Sequence, residues 1–259
     1  MGQQTKEKIE IPKDPSKIII KNRWENCRIG ITGASGSFGK ALTKRLRTKG
    51  AYIIGLTHKE APKNQKSEEE PNEWVYWQCG QEKELKGTLE KLDILILNHG
   101  INPKGLQSSK DLSQALEINA LSTWRLIELF ENLVKNNNYS SKLREVWVNT
   151  SEAEIQPTLS PGYEISKRLI GQLVSLNWNN QSKELKRKLI IRKLILGPFY
   201  SELNPIGIMN AQSVANQVIL QIELGLKLVI VTPNPITYLL IPINEFFRMV
   251  YANFSRNFV

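Results

Sequence analysis

With 259 residues, 41% of them hydrophobic, the chain is long enough to bury one sizeable core and has the composition of a water-soluble globule. Its formal charge of +10 raises nucleic acid as a partner, yet the basic residues do not interleave with aromatics as a nucleic-acid groove requires. Two cysteines, Cys27 and Cys79, are too few for a disulfide framework and fit no metal spacing, which points to a reducing, cytoplasmic setting without a bound metal.

Residues 1–25 mix Lys, Glu and Pro and read as a flexible N-terminal arm, with Ile18-Ile19-Ile20 as its one candidate strand. Residues 26–259 read as a single domain. Cys27–Thr32 is a strand, Ser37–Lys49 a helix whose Lys40, Lys44, Arg45, Arg47 and Lys49 face water, and Ala51–Thr57 a second strand. His58–Glu73 is a polar surface loop, Trp74–Gln78 a third strand, and Glu82–Leu92 a short helix. Ile94–Leu97 is a fourth strand, apolar throughout as in a sheet covered on both faces.

A long helix over Leu112–Lys135 precedes a strand at Glu145–Asn149 and a helix at Tyr163–Trp178. Two further strands fall at Leu189–Leu196 and Leu228–Val231, the first preceded by the solvated cations Lys183, Lys186, Arg187 and Lys188. This alternation demands right-handed crossovers and predicts an α/β, doubly wound Rossmann fold with a seven-stranded, mostly parallel sheet. Thr232-Pro233-Asn234-Pro235 turns the chain, and Pro242 opens a last helix with Ile243, Phe246, Phe247, Val250, Tyr251 and Phe254 on one face. That stripe is expected to pack on its own core or a sister subunit, with peripheral membrane contact as the alternative.

Between the first strand and first helix runs Thr32-Gly33-Ala34-Ser35-Gly36-Ser37-Phe38-Gly39. Glycines at 33, 36 and 39 permit a tight turn and close approach to a pyrophosphate, and the helix amides and dipole favour the anion. The second strand ends Gly55-Leu56-Thr57-His58-Lys59, without the carboxylate that would bind a ribose 2′-hydroxyl. Thr57, His58 and Lys59 suit a 2′-phosphate instead, so NADP(H) is favoured over NAD(H).

Tyr163 and Lys167 lie four apart on one helix face. A free phenol, with a pKa of about 10, is a poor acid–base group at neutral pH, and a neighbouring ammonium is expected to lower that value. Ser151, with Thr150 as its rival, ends the fifth strand and can orient a carbonyl oxygen. Asn98-His99-Gly100 ends the fourth strand at the same sheet edge, and Asn119 is a polar residue in an apolar helical run. His99 reads as a spacer or backbone donor. Glu152 and Glu154 read as a solvated loop beside the substrate.

Over residues 27–232 these motifs resemble the short-chain dehydrogenase/reductase superfamily. The resemblance implies that Asn119, Ser151, Tyr163 and Lys167 are the reacting set: Tyr163 exchanges a proton with the substrate oxygen, Ser151 orients it, Lys167 holds the nicotinamide ribose, and Asn119 positions a relay water. It also implies that Gly197-Pro198-Phe199 and Ser201 touch the cofactor, and that Phe199–Ala211 covers the substrate. Several features depart from the usual pattern: Leu97-Asn98-His99-Gly100 replaces N-N-A-G, Gln78-Cys79-Gly80-Gln81 lacks the usual acid, and the glycine spacing is that of relatives acting on sugar nucleotides.

The tail resembles short-chain dehydrogenase segments named with sterol-desaturase-type proteins, though no histidine boxes for that chemistry are present. The expected activity is an NADP(H)-dependent interconversion of a carbonyl and an alcohol on a small molecule, with a lipophilic substrate hinted at. A sugar-nucleotide epimerase or dehydratase is one alternative, against which too few residues follow the sixth strand for a large substrate domain. A non-catalytic NADP-binding module at a membrane surface is the other.

Overall fold

The computed structural model describes residues 22–58, 67–103, 108–137 and 142–255. Apolar four- to eight-residue runs bounded by turns became strands, and the amphipathic segments between them became crossover helices. In chain order these are β1 (Arg28–Thr32), α1 (Ser37–Arg47), β2 (Tyr52–Thr57), β3 (Glu73–Tyr76), α2 (Lys86–Leu89), β4 (Ile94–Leu97), α3 (Ser109–Leu116) and α4 (Ser122–Asn136). They continue with β5 (Arg144–Ser151), α5 (Pro161–Asn180), α6 (Lys183–Lys188), β6 (Leu189–Leu196), α7 (Ala211–Glu223), β7 (Leu228–Val231) and α8 (Pro235–Ser255).

The seven strands form one sheet in the order β3-β2-β1-β4-β5-β6-β7, and every neighbouring pair is parallel. The order reverses between β1 and β4, which opens a crevice beyond their carboxyl ends, the usual place for a dinucleotide in such a sheet. Side chains alternate between two cores. Ile29, Ile31, Ile94, Ile96, Leu194 and Leu196 meet the buried side of α1 and α7. Leu95, Leu97, Val146 and Val148 meet Leu126, Phe130, Ile170 and Val174 from α4 and α5. Each fully buried aliphatic side chain contributes about 1.5–3 kcal/mol.

Four boundaries differ from expectation. Residues 22–25 are not part of a loose arm: Trp24 is fully buried edge-on against Trp147, and Arg23 pairs with Glu145 at 2.7 Å. A single tryptophan in a polar stretch outweighs the composition around it, while Ile18-Ile19-Ile20 lies outside the described residues. The long helix is interrupted by a π-helical turn at Glu117–Leu121 between α3 and α4. Helices α6 and α7 add to the predicted elements, Asn210 and Ser182 supplying the side-chain caps that start them.

Pro242 does not open the last helix. Pro235 occupies its first position, where a missing amide proton costs nothing, and Pro242 sits inside it. No described helix is long and apolar enough to cross a membrane.

Candidate active site

Gly33 follows β1 with φ +65°, a left-handed conformation that side chains resist, and a β-carbon there would press on the backbone of Asn98 and His99. A β-carbon on Gly39 would run into the Gly33 carbonyl, so α1 can lie this close to the turn only with glycine at that position. Gly36 precedes α1 with no side-chain cap, and no acidic residue stands in the first turn. The helix therefore offers uncapped amides and its positive end without an internal competitor for an anion. Ser35 and Gly36 are exposed at this mouth and Ser37 is half-buried, whereas Phe38 is buried and packs on Phe199 at 5.7 Å.

From this turn a polar chain crosses the sheet edge. The Asn98 amide donates to the Gly33 carbonyl at 3.2 Å and accepts from Asn149 at 2.7 Å. The Asn149 carbonyl in turn receives the Lys167 ammonium at 3.0 Å. Lys167 is buried and stands 5.7 Å from the centre of the Tyr163 ring. Burial lowers its pKa to about 8, against a smaller opposing pull from Glu154.

Burial also pushes the Tyr163 phenol above its usual range, and the Ser151 hydroxyl beside it offsets this only in part. The expected depression of the phenol by Lys167 is thus not present: the ammonium is directed at a carbonyl, and desolvation outweighs it. As it stands, Tyr163 is a protonated donor at neutral pH. The rivalry between Thr150 and Ser151 also has a geometric outcome, since Thr150 donates to the Leu194 carbonyl at 3.0 Å and faces β6, while Ser151 faces the phenol.

Asn119 is buried in the π-helical turn with its amide wholly engaged. It donates to the Ile101 carbonyl at 2.9 Å and to Ser166 at 2.8 Å, and it accepts from the Ile101 amide at 2.8 Å. Its side chain clamps the loop after β4 to the helix carrying Tyr163 and Lys167. Gly100 belongs to the same clamp, because a β-carbon there would meet the Asn119 oxygen at 3.0 Å.

The NAD dependent epimerase/dehydratase family profile matches residues 29–233, most of the chain. The chain belongs to that family. It is 43% identical over 226 residues to a monoglucosyldiacylglycerol epimerase from Synechocystis sp., a match covering 86% of this chain and 53% of that relative. This chain therefore spans about half the relative's length.

Its fold is similar to a short-chain dehydrogenase from Burkholderia cenocepacia in complex with NADP, with a TM-score of 0.69, 15% identity, and 85% and 92% of the two chains covered. It is likewise similar to a 3-ketoacyl-(acyl-carrier-protein) reductase from Brucella melitensis complexed with NADH, with a TM-score of 0.67, 18% identity, and 81% and 98% covered. The superfamily and the doubly wound fold expected from the motifs are those found, with a sheet parallel throughout.

For an epimerase/dehydratase family member the residues present fit a nicotinamide dinucleotide. The uncapped amides of α1 suit the pyrophosphate, and Thr57 and His58 end β2 beside the crevice, Thr57 buried and His58 exposed. Lys59 lies outside the described residues. His99 Nδ1 lies 2.8 Å from the Thr32 hydroxyl, its ring meets Trp77 edge-on, and burial lowers its pKa to about 3, leaving it neutral.

On the far side of the crevice, a β-carbon on Gly197 would strike the Thr232 hydroxyl, and the Pro198 carbonyl accepts from the Ile208 amide at 2.9 Å. The Ser201 hydroxyl accepts from the Asn204 amide at 3.1 Å, which holds a turn and leaves its own proton available to donate.

Glu152 and Glu154 are not in a solvated loop. Glu152 accepts from Thr232 at 2.5 Å and from Thr237 at 3.3 Å. Glu154 pairs with the fully buried Lys193 at 2.6 Å, and burial pushes its carboxyl above the usual range. The sequence signal for this second polar centre was Arg192-Lys193 inside an otherwise apolar strand, which gives away nothing about its partners. Asn149 was likewise missed, since an asparagine at a strand end is indistinguishable from a turn residue until its neighbours are known. Among the described residues no cluster could hold a metal ion.

Proposed function

We propose that this protein is a nicotinamide-dependent epimerase that inverts a carbinol carbon in the sugar headgroup of a glycolipid by oxidising it and reducing it again from the other face. The observation that carries this reading is the 43% identity to a monoglucosyldiacylglycerol epimerase, supported by the family match over residues 29–233. The carbonyl–alcohol exchange expected from Ser151, Tyr163 and Lys167 becomes a half-reaction run in both directions.

When bound, the cofactor supplies reversible hydride acceptance at its nicotinamide ring. Tyr163 receives the hydroxyl proton as the carbinol C–H bond is lost and returns it when hydride comes back, so no net proton or redox change remains. Ser151 donates to the same oxygen and holds it against the phenol. Lys167 carries its charge below about pH 8, grips the ribose, and keeps a cation near Tyr163. Burial alone favours the neutral phenol, so Tyr163 would accept a proton only as the phenolate, a form that a bound oxidised cofactor, with its positive ring, would favour. Asn119 fixes the loop and helix that frame these groups. NADP(H) is preferred over NAD(H), because β2 ends in Thr57 and His58 with no carboxylate for a ribose 2′-hydroxyl.

The test is incubation of the full chain with catalytic NADP⁺ and monoglucosyldiacylglycerol in detergent micelles. The epimeric glycolipid should accumulate with no build-up of NADPH, and Tyr163→Phe should lower the rate by about 10²–10⁴-fold while preserving cofactor affinity. Stoichiometric NADPH with a keto product would instead make the protein a one-way dehydrogenase.

A further inference from the structure

Helix α5 carries a polar stripe that runs on past the candidate active site. Tyr163, Lys167, Gly171 and Ser175 follow at four-residue spacing, so they share one face of the helix, each step advancing about 6 Å. Gly171 is the step after Lys167, and a β-carbon there would collide with the Glu154 carboxylate. Glu154 therefore lies directly on the turn of α5 next to the lysine, brought there by the short 3₁₀ turn Glu152–Glu154 that follows Ser151.

Lys193, fully buried in β6, meets the same carboxylate. It donates to Glu154 at 2.6 Å, to Glu245 of α8 at 2.8 Å and to the Gly171 carbonyl at 3.0 Å. One ammonium thus serves two carboxylates, and the trio carries a net negative charge with little access to water. Glu154 gives only Oε2 to Lys193, and its Oε1 is buried with no hydrogen-bond partner. An unpaired carboxylate oxygen in a dry interior is costly unless another charge compensates it. Lys167, buried one turn away on the same face, supplies that charge and brings the cluster to two cations and two carboxylates.

We propose that Glu154 is a positioning residue for the reaction: its carboxylate, shared between Lys193 and Lys167, keeps the second ammonium charged beside Tyr163. The other groups packed around Lys167 do not perform this task. β5 offers the Asn149 carbonyl at 3.0 Å, α5 the Tyr163 ring, and the segment after β4 the neutral His99. The charge of Glu152 falls on Tyr163. Burial lowers the Lys167 pKa, and Glu154 is the charge that pulls it back. Burial likewise pushes the Glu154 carboxyl above its usual range, opposed chiefly by Lys193. The consequence for turnover rests on the epimerase reading above; the coupling of the two charges does not.

Glu154→Gln tests this, because an amide keeps the shape over Gly171 and leaves Lys193 paired with Glu245. One readout is the alkaline limb of epimerisation with NADP⁺ and micellar monoglucosyldiacylglycerol. The other is the substrate-free titration of Lys167 by NMR in protein carrying carbon-13 at the lysine ε-carbons, identified as the resonance lost in Lys167→Arg. Without the carboxylate the ammonium should release its proton sooner, so both should move to lower pH by about one unit.

Glu245→Gln, on α8, should move them the same way by less, since Lys193 then turns wholly to Glu154. A rate lowered equally at every pH with an unmoved titration makes Glu154 merely structural and overturns the proposal, as does an upward shift. Should Glu154→Gln fail to fold, Glu245→Gln decides alone: a downward shift upholds the coupling and an unmoved titration overturns it. A shifted titration in a protein that does not epimerise leaves the coupling standing and removes the epimerase reading; epimerisation with an unmoved titration does the reverse.

Discussion

Helices α1 and α8 lie on opposite faces of one sheet, each with a strongly one-sided sequence, yet they face opposite ways. In α1 the apolar residues Phe38, Ala41, Leu42 and Leu46 are buried and the cations look outward. In α8 the polar residues look inward, and the aromatic residues are exposed. The difference lies in what the sheet offers beneath. Under α1 it presents Ile29, Ile31, Leu194 and Leu196, which only apolar groups can match. Near α8 it presents a lysine with no access to water, which only a carboxylate can match. A buried ion can therefore set the rotation of a helix against its own hydrophobic pattern.

Four substitutions or titrations would break or sharpen that contrast. The largest effect is expected on the ordinary side: Leu42→Asp places a carboxylate in the α1 core and should cost at least about 4 kcal/mol, read as loss of the cooperative denaturant transition. Next comes Lys193→Met, which strands Glu154 and Glu245 without their cation. It should cost about 3–5 kcal/mol in urea unfolding, and pairing it with Glu154→Gln should recover part of the loss. If Lys193→Met were neutral, the rotation of α8 would need another cause.

A smaller change is expected from pH. Lys167 loses its proton near pH 8, so turnover should fall as pH rises through that value, and Lys167→Arg should move the alkaline limb upward while lowering the maximum rate. The smallest effect belongs to the exposed side of α8, where Phe247→Ser should change unfolding free energy by no more than about 0.5 kcal/mol in buffer, because that ring is already in contact with water. A large loss there would mean that the aromatic face supports the fold.

Much of the scaffold was legible beforehand because strands buried on both faces carry an unambiguous apolar signature. Ile94–Leu97, Leu189–Leu196 and Leu228–Val231 have the predicted limits. The glycine turn was legible for a related reason, since Gly33 and Gly39 occupy positions where backbone geometry tolerates nothing larger. Helix α7 and the true start of α8 were not, because two prolines are equally good beginnings and the side-chain caps are visible only once a helix exists. At the candidate site, the sequence brought Tyr163 and Lys167 together through helix spacing but misjudged their electrostatics. Desolvation depends on what the rest of the chain places above them.

Left to itself, then, the order of residues determined the parallel sheet, the glycine turn after β1 and the placement of Tyr163 and Lys167 on one helix face, all of which follow from local periodicity and steric necessity. Tertiary structure decided which hydroxyl of Thr150 and Ser151 meets the phenol, that Asn119 is a clamp, and that the apolar side of α8 faces out. Those outcomes depend on long-range pairing of Lys193 with Glu154 and Glu245, and no spacing along the chain encodes which distant carboxylates a buried ammonium will find.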